Sequence, residues 1–565
     1  MHPPPDPAPN AGLDPVRADV RADERADVRA VLMPALRWDG SGYRSEGTSE
    51  APVELAASGV AGFIVFGGTA DAVAELTREL RRAANRPLLF GADLERGAGQ
   101  QFDGATPLPP AGALGSIDDP EVTRRAGELT AREARALGID IVFAPVADVA
   151  SVPENPIVGP RAFAARPEAV ARHVRAWVEG ALRGGALPCV KHFPGHGRTM
   201  GDSHVGEVVV SADAAEVRAE LAPFRAAVEG GVPLVMPGHL SVPALDPTGR
   251  IATMSEAMLS GVLRDELGFG GVIVSDAMLM AGAGELATTS VEAVRSGMDL
   301  LIYPESLEVA VTAIARASER DPEMKARLAA AGRRIGRLAE RARDGRVADR
   351  ESRAAAASSA VSSAAGPSGA VPSGVASAAV GHADDRDRAR RWALAAVDRV
   401  RGSLEPPGPD AALRVVEVDD DSGGPYPTPS RAPFRDALAP SGERHAAEAG
   451  GPPGPSRTPD ATVVALWADT RGWKGRAGLS RNAVREIERA LEASAGASAG
   501  PGQRPTHVVV FGGPRVVADI PEGPTVWLAW GGEALMQRAA AERLRGDAAG
   551  GRGVPAGGSP TASPA

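Results

Sequence analysis

The sequence predicts an α/β protein: a (β/α)8 TIM barrel followed by a smaller α/β sandwich-like domain. Three observations predict it. Between about residues 30 and 345, short β-branched or apolar runs alternate eight times with helical patterns of 10–20 residues, as successive βα units do. A span of this size agrees with a barrel of about 250 residues plus insertions. Reactive side chains recur at the carboxyl ends of the apolar runs, the face where such barrels carry their sites. Beyond a break in composition the βα pattern resumes. An open doubly wound sheet gives the same alternation, and periodicity alone does not separate the two.

Residues 1–28 are proline-rich and then repeat Arg-Ala-Asp units, too poor in large apolar residues to bury anything, and read as a disordered tail. The barrel is expected over 29–345, with strands VLMPAL (31–36), GFIVFG (62–67), PLLFGA (87–92), IDIVFAPV (139–146), LPCVKH (187–192), PLVMPG (233–238), GVIVSD (271–276) and MDLLIY (298–303). Between them, AVAELTRELRRAA, PEVTRRAGELTAREARALG, PEAVARHVRAWVEGALRGG and AEVRAELAPFRAAVEGG have apolar residues at helical spacing. Most end in Gly, as a helix C-cap does. Residues 346–388 read as a linker, because 24 of the 30 residues in 351–380 are Ala, Ser, Gly or Pro and offer no core. A C-terminal α/β domain over 389–547 is expected from RRWALAAVDRV, LRVVEV, TVVALWA, HVVVFG and TVWLAW, with helices near 480–493 and 533–545. Its 419–460 segment reads as a long loop, and 548–565 as a second disordered tail.

Composition narrows the function. The chain of 565 residues carries 62 Lys+Arg against 72 Asp+Glu, a net charge of −10. With no basic tract, it offers no footprint for nucleic acid or an anionic membrane. Cys189 is the single cysteine, which excludes an internal disulfide framework and any multi-cysteine metal site. The N-terminus lacks the charged-then-apolar order of a signal peptide, and no run approaches the roughly 18 apolar residues of a membrane span. A cytoplasmic protein is expected.

The densest reactive cluster is Lys191-His192-Phe193-Pro194-Gly195-His196-Gly197, followed by Asp202-Ser203-His204: three of the chain's nine histidines within 14 residues. Pro194 and the glycines forbid a helix there, so His192 and His196 do not share a helical face despite their i,i+4 spacing. On the proposed topology Lys191 and His192 end strand five, Asp93 ends strand three, Arg161 follows strand four, His239 follows strand six and Asp276 ends strand seven. Several have a plain structural alternative. Asp276 can cap its strand, Asp202 and His204 can form a surface turn, and His196 and His239 can pack behind the site. Cys189 reads as an inert buried thiol. Glu95 and Arg96 read as a local pair outside the site.

These residues carry a resemblance. KHFPGHGRTMGDSH resembles the signature of glycoside hydrolase family 3, in its bacterial β-N-acetylglucosaminidase branch. GADLERGAGQQF, PENPIVGPRAF and VIVSDAML resemble that family's substrate-binding Asp, Asn-Pro…Arg-x-Phe and nucleophile segments. The resemblance covers about residues 30–345. VDDDSGGPYPTPSRAPF and HVVVFGGPRVV more weakly resemble the α/β sandwich that follows the barrel in many members. By position, the resemblance implies Asp276 as nucleophile, His204 as acid/base and Asp202 as the carboxylate supporting it. It places sugar-hydroxyl ligands on Asp93, Arg161, Lys191 and His192. One departure is that many relatives read Asp-x-Glu-Gly-Gly-Arg-Val-x-Arg after strand three, where this chain ends in Gln101.

Residue chemistry agrees with the implied roles. Retaining glycoside cleavage needs an attacking carboxylate and a proton donor on the leaving-group side. An imidazole with an ordinary pKa of about 6.5 exchanges a proton near neutrality, and Lys191 or Arg161 nearby would keep Asp276 ionised. The expectation is a retaining exo-β-glycosidase that removes terminal β-N-acetylglucosamine from small cell-wall or chitin-derived saccharides, without metal or organic cofactor. A histidine donor does not repel phosphate, so a phosphorylase on the same site is the alternative. A metal-dependent barrel hydrolase using His192, His196, His204 and Asp202 stands further off.

Overall fold

A computed structural model describes residues 22–199, 201, 206, 208–361, 377–421, 428–439, 458–469, 474, 476, 478–496 and 505–546. The first barrel strand is broken by Pro34 into β1 (Leu32–Met33) and β2 (Ala35–Trp38), and β2 turns back antiparallel into β3 (Tyr43–Glu46). The remaining barrel strands are β4 (Gly62–Phe66), β5 (Leu89–Ala92), β6 (Ile141–Val142), β7 (Leu187–Phe193), β8 (Leu234–Pro237), β9 (Val272–Ile273) and β10 (Leu301–Ile302). Parallel pairing runs from β2 through β4, β5, β6, β7 and β8 to β9. Hydrogen bonds close the ring. Ser275 N donates to Leu300 O at 2.8 Å, β10 pairs with β1, and Ala61 N donates to Leu32 O at 2.9 Å. The closed circuit selects the barrel over an open sheet.

The strands read as continuous apolar runs because both faces are buried: β5, β7 and β8 are covered along their whole length. Helix Pro167–Arg183 shows why the outer ring forms. Proline occupies its first turn, and Val170, Val174, Trp177, Val178 and Ala181 make one buried stripe, the i,i+4,i+7 spacing of an amphipathic helix. The helix expected over 215–231 is instead two, Ala214–Glu220 and Ala222–Glu229. Pro223 has no N–H to continue the ladder, so the chain restarts there.

Three expectations are corrected. Residues 22–28 are not tail: helix Ala22–Arg29 buries Val28 completely, and Arg29 reaches Glu50 at 2.8 Å and Ser58 at 2.7 Å. The linker is helical at both ends, since helix Pro322–Val361 runs into it and helix Ala383–Ala396 starts inside it. The loop 419–460 contains the short helix Ala432–Leu438, which buries Phe434 and Leu438. The first 21 and last 19 residues lie outside the described set.

Helix Pro322–Val361 crosses the barrel floor. Arg334 meets Asp299 at 2.8 Å, and Arg346 pairs with Asp140, which also receives Arg81 at 2.7 Å and Arg135 at 3.0 Å. Asp140 and Asp299 lie just before β6 and β10, at the end of the barrel that carries stability rather than chemistry. Both carboxylates are almost fully buried, and a buried charge stays only where such partners satisfy it.

The second domain is a five-stranded sheet. Its strands are β11 (Asp398–Arg401), β12 (Leu413–Asp419), β13 (Ala461–Ala468), β14 (Thr506–Gly512) and β15 (Thr525–Leu528), in the order β11-β15-β14-β13-β12, with only β11 antiparallel. Alternate residues of β13 and β14 serve opposite faces. Val463, Ala465, Trp467, Val509 and Phe511 pack with helices Ala383–Ala396 and Ala534–Arg545, while Val464, Leu466, Val508 and Val510 pack with helix Arg481–Gly496. This is a three-layer α/β sandwich. It is tied to the barrel by Arg132–Asp385 at 2.5 Å and by buried Glu133, which accepts from Thr106 N at 2.8 Å and Gly381 N at 2.7 Å. Among the described residues no helix is long and apolar enough to cross a membrane.

Candidate active site

A cavity of about 590 Å³ opens at the carboxyl ends of the barrel strands, and Asp93, Arg161, Lys191, His192 and Asp276 all line it. Five of the seven residues singled out in the sequence are thus brought together. The other two, Asp202 and His204, lie outside the described residues.

A chain of charges crosses the cavity wall. Lys191 Nζ lies 2.7 Å from Asp93 Oδ1 and 2.8 Å from Glu95 Oε1, and the guanidinium of Arg161 meets Glu95 through two bonds of 3.0 and 2.8 Å. The two-pronged contact fixes orientation as well as distance. Burial alone would raise the Glu95 carboxyl, but the charges of Arg161 and Lys191 hold it well below the usual range. Burial would lower Lys191 and Arg161, yet the carboxylates beside them raise both. Glu95, Lys191 and Arg161 therefore stay ionised and present charged donors and acceptors to the cavity.

Behind it sits Asp148, buried, which accepts from His192 Nδ1 at 2.7 Å, His196 N at 2.7 Å and His192 N at 3.3 Å. Burial would raise this carboxyl, but His192 and these hydrogen bonds bring it to about 2. The bond to Nδ1 fixes the His192 ring in the tautomer that donates there. Asn155 clamps the following loop. Its Nδ2 donates to His196 O at 2.8 Å and Thr199 O at 2.9 Å, while its Oδ1 accepts from Ile157 N and Val158 N. Gly197 passes so close to Val149 that an added Cβ would lie 1.7 Å from its carbonyl oxygen. Residue 197 has to be glycine for the loop after β7 to seat on the loop after β6.

Asp276 follows Ser275, which is fully buried and accepts from Ile302 N at 3.0 Å. Asp276 Oδ1 accepts from Ala277 N at 2.8 Å, and His239 Nε2 reaches Ala277 O at 3.2 Å with Nδ1 on Thr253 Oγ1 at 3.0 Å. His239 therefore positions the backbone beside Asp276. Cys189 is buried, and burial pushes its thiol upward, away from reactivity.

Glu95, expected outside the site, belongs to the cavity wall through Lys191 and Arg161, and Arg96 forms an ion pair with Glu533 of the second domain. Asp469, Trp530, Gly531 and Glu533 bring the second domain into the cavity lining. Nothing in the sequence singles out Asp148, and Glu95 and Asn155 stand inside GADLERGAGQQF and PENPIVGPRAF without local marks of these roles.

Burial pushes the His196 imidazole down to about 4. The unfolded chain takes up that proton near pH 6.5 and the folded chain does not, so stability rises with pH between about 4 and 6.5 and is lost on acidification. His507, also lowered to about 4 by burial, accepts from Trp527 Nε1 at 3.2 Å and acts in the same direction. We expect His196 alone to remove about 2 kcal/mol between pH 7.5 and pH 5. Calorimetry at the two pH values measures it: Tm falls at pH 5, and the fall is smaller in His196→Gln. A Tm indifferent to pH, or an unchanged slope in the variant, contradicts the assignment.

The family model described as the glycosyl hydrolase family 3 N-terminal domain matches residues 30–338. A protein named beta-hexosaminidase from Idiomarina loihiensis is 36% identical over 270 residues, covering 46% of this chain and 80% of that protein. Another of the same name from Thioalkalivibrio sulfidiphilus is 36% identical over 282 residues, covering 47% and 80%. Among solved structures, a family 3 beta-N-acetylglucosaminidase from Paenibacillus sp. superposes with a TM-score of 0.71 at 26% identity, covering 92% of this chain and 96% of that one. A beta-glucoside phosphorylase superposes with a TM-score of 0.71 at 20% identity, covering 93% and 92%, a likeness of fold.

Proposed function

Because the chain belongs to glycoside hydrolase family 3, and is therefore a glycoside hydrolase, we propose that it is a retaining, exo-acting β-N-acetylhexosaminidase. Its substrate is a small saccharide derived from cell wall or chitin, from which it releases the terminal non-reducing N-acetylglucosamine. The observation that carries this reading is the linked array Asp93–Lys191–Glu95–Arg161 in the same cavity as Asp276. One wall binds hydroxyls, and a carboxylate sits at the rim of the seventh strand position.

In the first step a carboxylate oxygen of Asp276 bonds to the anomeric carbon as the C1–O glycosidic bond breaks. The bonding pair stays on the leaving oxygen, which takes a proton from the His204 imidazolium. In the second step a water oxygen bonds to C1 and gives its proton to His204, and the ester bond breaks with its pair returning to Asp276. Asp202 supports the imidazolium. Lys191, His192, Asp93 and Arg161 hold the sugar. The second-domain residues on one side of the cavity support removal of a chain end rather than internal cleavage. The lone buried Cys189 is in keeping with a cytoplasmic setting.

Turnover of p-nitrophenyl β-N-acetylglucosaminide and of the matching β-glucoside, each with and without phosphate, tests the reading. We expect the acetamido substrate to react faster and the free sugar to be the product in phosphate buffer. Faster turnover of the glucoside overturns the substrate assignment. A sugar 1-phosphate product overturns hydrolysis in favour of phosphorolysis on the same residues.

A further inference from the structure

We propose that Glu133 is a positioning residue for sugar binding: through it the linker ahead of the second domain sets the loop that carries Asp93 and Glu95. The grip on the terminal sugar then depends on a contact outside the cavity. The inference rests on the hexosaminidase reading and adds to it how the hydroxyl-binding wall is held.

The loop between β5 and helix Ala111–Ile117 supplies Asp93, Glu95, Arg96, Gln100 and Gln101 to the cavity. It returns on itself, with Gly99 N donating to Thr106 O at 3.0 Å and Leu108 N to Arg96 O at 2.8 Å. A Cβ on Gly99 would lie 2.6 Å from the Thr106 carbonyl carbon, so the outgoing limb of the loop rests directly on Thr106. Thr106 in turn rests on Glu133, near the end of the outer-ring helix Pro120–Ala136. Its hydroxyl donates to Glu133 Oε1 at 2.7 Å and its N–H to Oε2 at 2.8 Å.

The linker completes the same carboxylate. Gly381 N donates to Glu133 Oε1 at 2.7 Å, and Arg386 Nη2 donates to Gly104 O, two residues before Thr106, at 2.8 Å. Gly381 has a left-handed backbone, φ 63°, and a Cβ there would lie 2.0 Å from Gly104 O, so this approach is open to glycine alone. Glu133 is buried, and its three hydrogen bonds all come from neutral groups. A carboxylate accepts on both oxygens, whereas an amide puts a donor on one side. Glutamine at 133 must therefore give up Thr106 N or Gly381 N, and a buried donor left without an acceptor is costly enough to move the chain. At its tip the loop is tied to the second domain by Arg96 and Glu533. Released at Thr106 while still held at Arg96, the loop shifts, and Asp93 and Glu95 shift with it.

The test measures N-acetylglucosamine as a competitive inhibitor, together with KM and kcat on p-nitrophenyl β-N-acetylglucosaminide, in full-length Glu133→Gln and Gly381→Ala. A looser hold on the sugar hydroxyls weakens ground and transition states alike, so KM should rise while kcat stays. We expect the inhibition constant and KM to rise by about 10-fold in Glu133→Gln and by about 3-fold or more in Gly381→Ala, with kcat within about 2-fold of wild type. Because both substitutions break one contact, the double variant should bind no more weakly than the worse single one. A folded Glu133→Gln that binds N-acetylglucosamine like wild type, a fall in kcat with KM unchanged, or effects that multiply in the double variant overturn the role. If Glu133→Gln does not fold, Gly381→Ala decides: an unchanged inhibition constant overturns the role, and a raised one with kcat kept sustains it. A wild-type enzyme that neither cleaves the acetamido substrate nor binds N-acetylglucosamine overturns the activity itself, and the role with it.

Discussion

Asp276→Asn should leave less than about 10⁻³ of the wild-type kcat, since an amide cannot form the ester through which a retaining enzyme works. The substitution is nearly isosteric. Asn keeps an oxygen to accept from Ala277 N, and the residue stays locked by Ser275 behind it and by His239 on Ala277 O. Unchanged thermal unfolding together with lost turnover is therefore expected. Two further readouts separate a nucleophile from a residue that only shapes the pocket. A 2-fluoro sugar should add its mass to the peptide carrying Asp276. In Asp276→Gly, azide should restore turnover and yield the glycosyl azide of inverted configuration. A labelled residue elsewhere, or Asp276→Asn activity above about a tenth of wild type, ends the assignment.

Glu95→Ala should be the most damaging change that spares the reacting atoms. Its carboxylate is shared by Lys191 and Arg161, both held close to it. Removing one partner of a buried ionic group costs about 3–5 kcal/mol, because the remaining charges are left without compensation. Lys191 still has Asp93 at 2.7 Å, whereas Arg161 loses both of its bonds to Glu95. The two cations should then shift, and displacement of about 1 Å in positioning groups can cost about 10²-fold in rate. We expect kcat/KM to fall by about 10²-fold or more, with a lower Tm. Glu95→Gln preserves the volume but not the charge and should fall between wild type and Glu95→Ala in Tm. A Glu95→Ala enzyme with normal KM and Tm would show that the carboxylate is surface decoration.

Much of this architecture was legible because burial writes itself into composition. The barrel strands are covered on both faces, so they appear as uninterrupted apolar runs, whereas β3 reads Tyr-Arg-Ser-Glu, pairs only at the rim and leaves no such trace. Residues at strand ends were found because their places follow from the topology. Asp148 and Asn155 were not, because the groups they hold in the loop after β7 lie 41 to 48 positions away, and nothing local marks a polar residue for such a task. Glu95 was misjudged by adjacency. Beside Arg96 it resembles half of a local pair, yet the turn after β5 brings Glu95 with Asp93 onto Lys191, while Arg96 pairs with Glu533 of the second domain. Trp530 was hidden inside TVWLAW, where it reads as one more interior aromatic, yet it lines the cavity.

The long helix beneath the barrel has a bearing on how the chain can be divided. The matched family region stops at residue 338, between Arg334 and Arg346, so a fragment trimmed to that boundary keeps the counterion of Asp299 and forfeits one of the three cations gathered around Asp140. The segment that looks like a tether between two modules thus doubles as a keystone of the first. Any dissection that respects homology alone would cut through it.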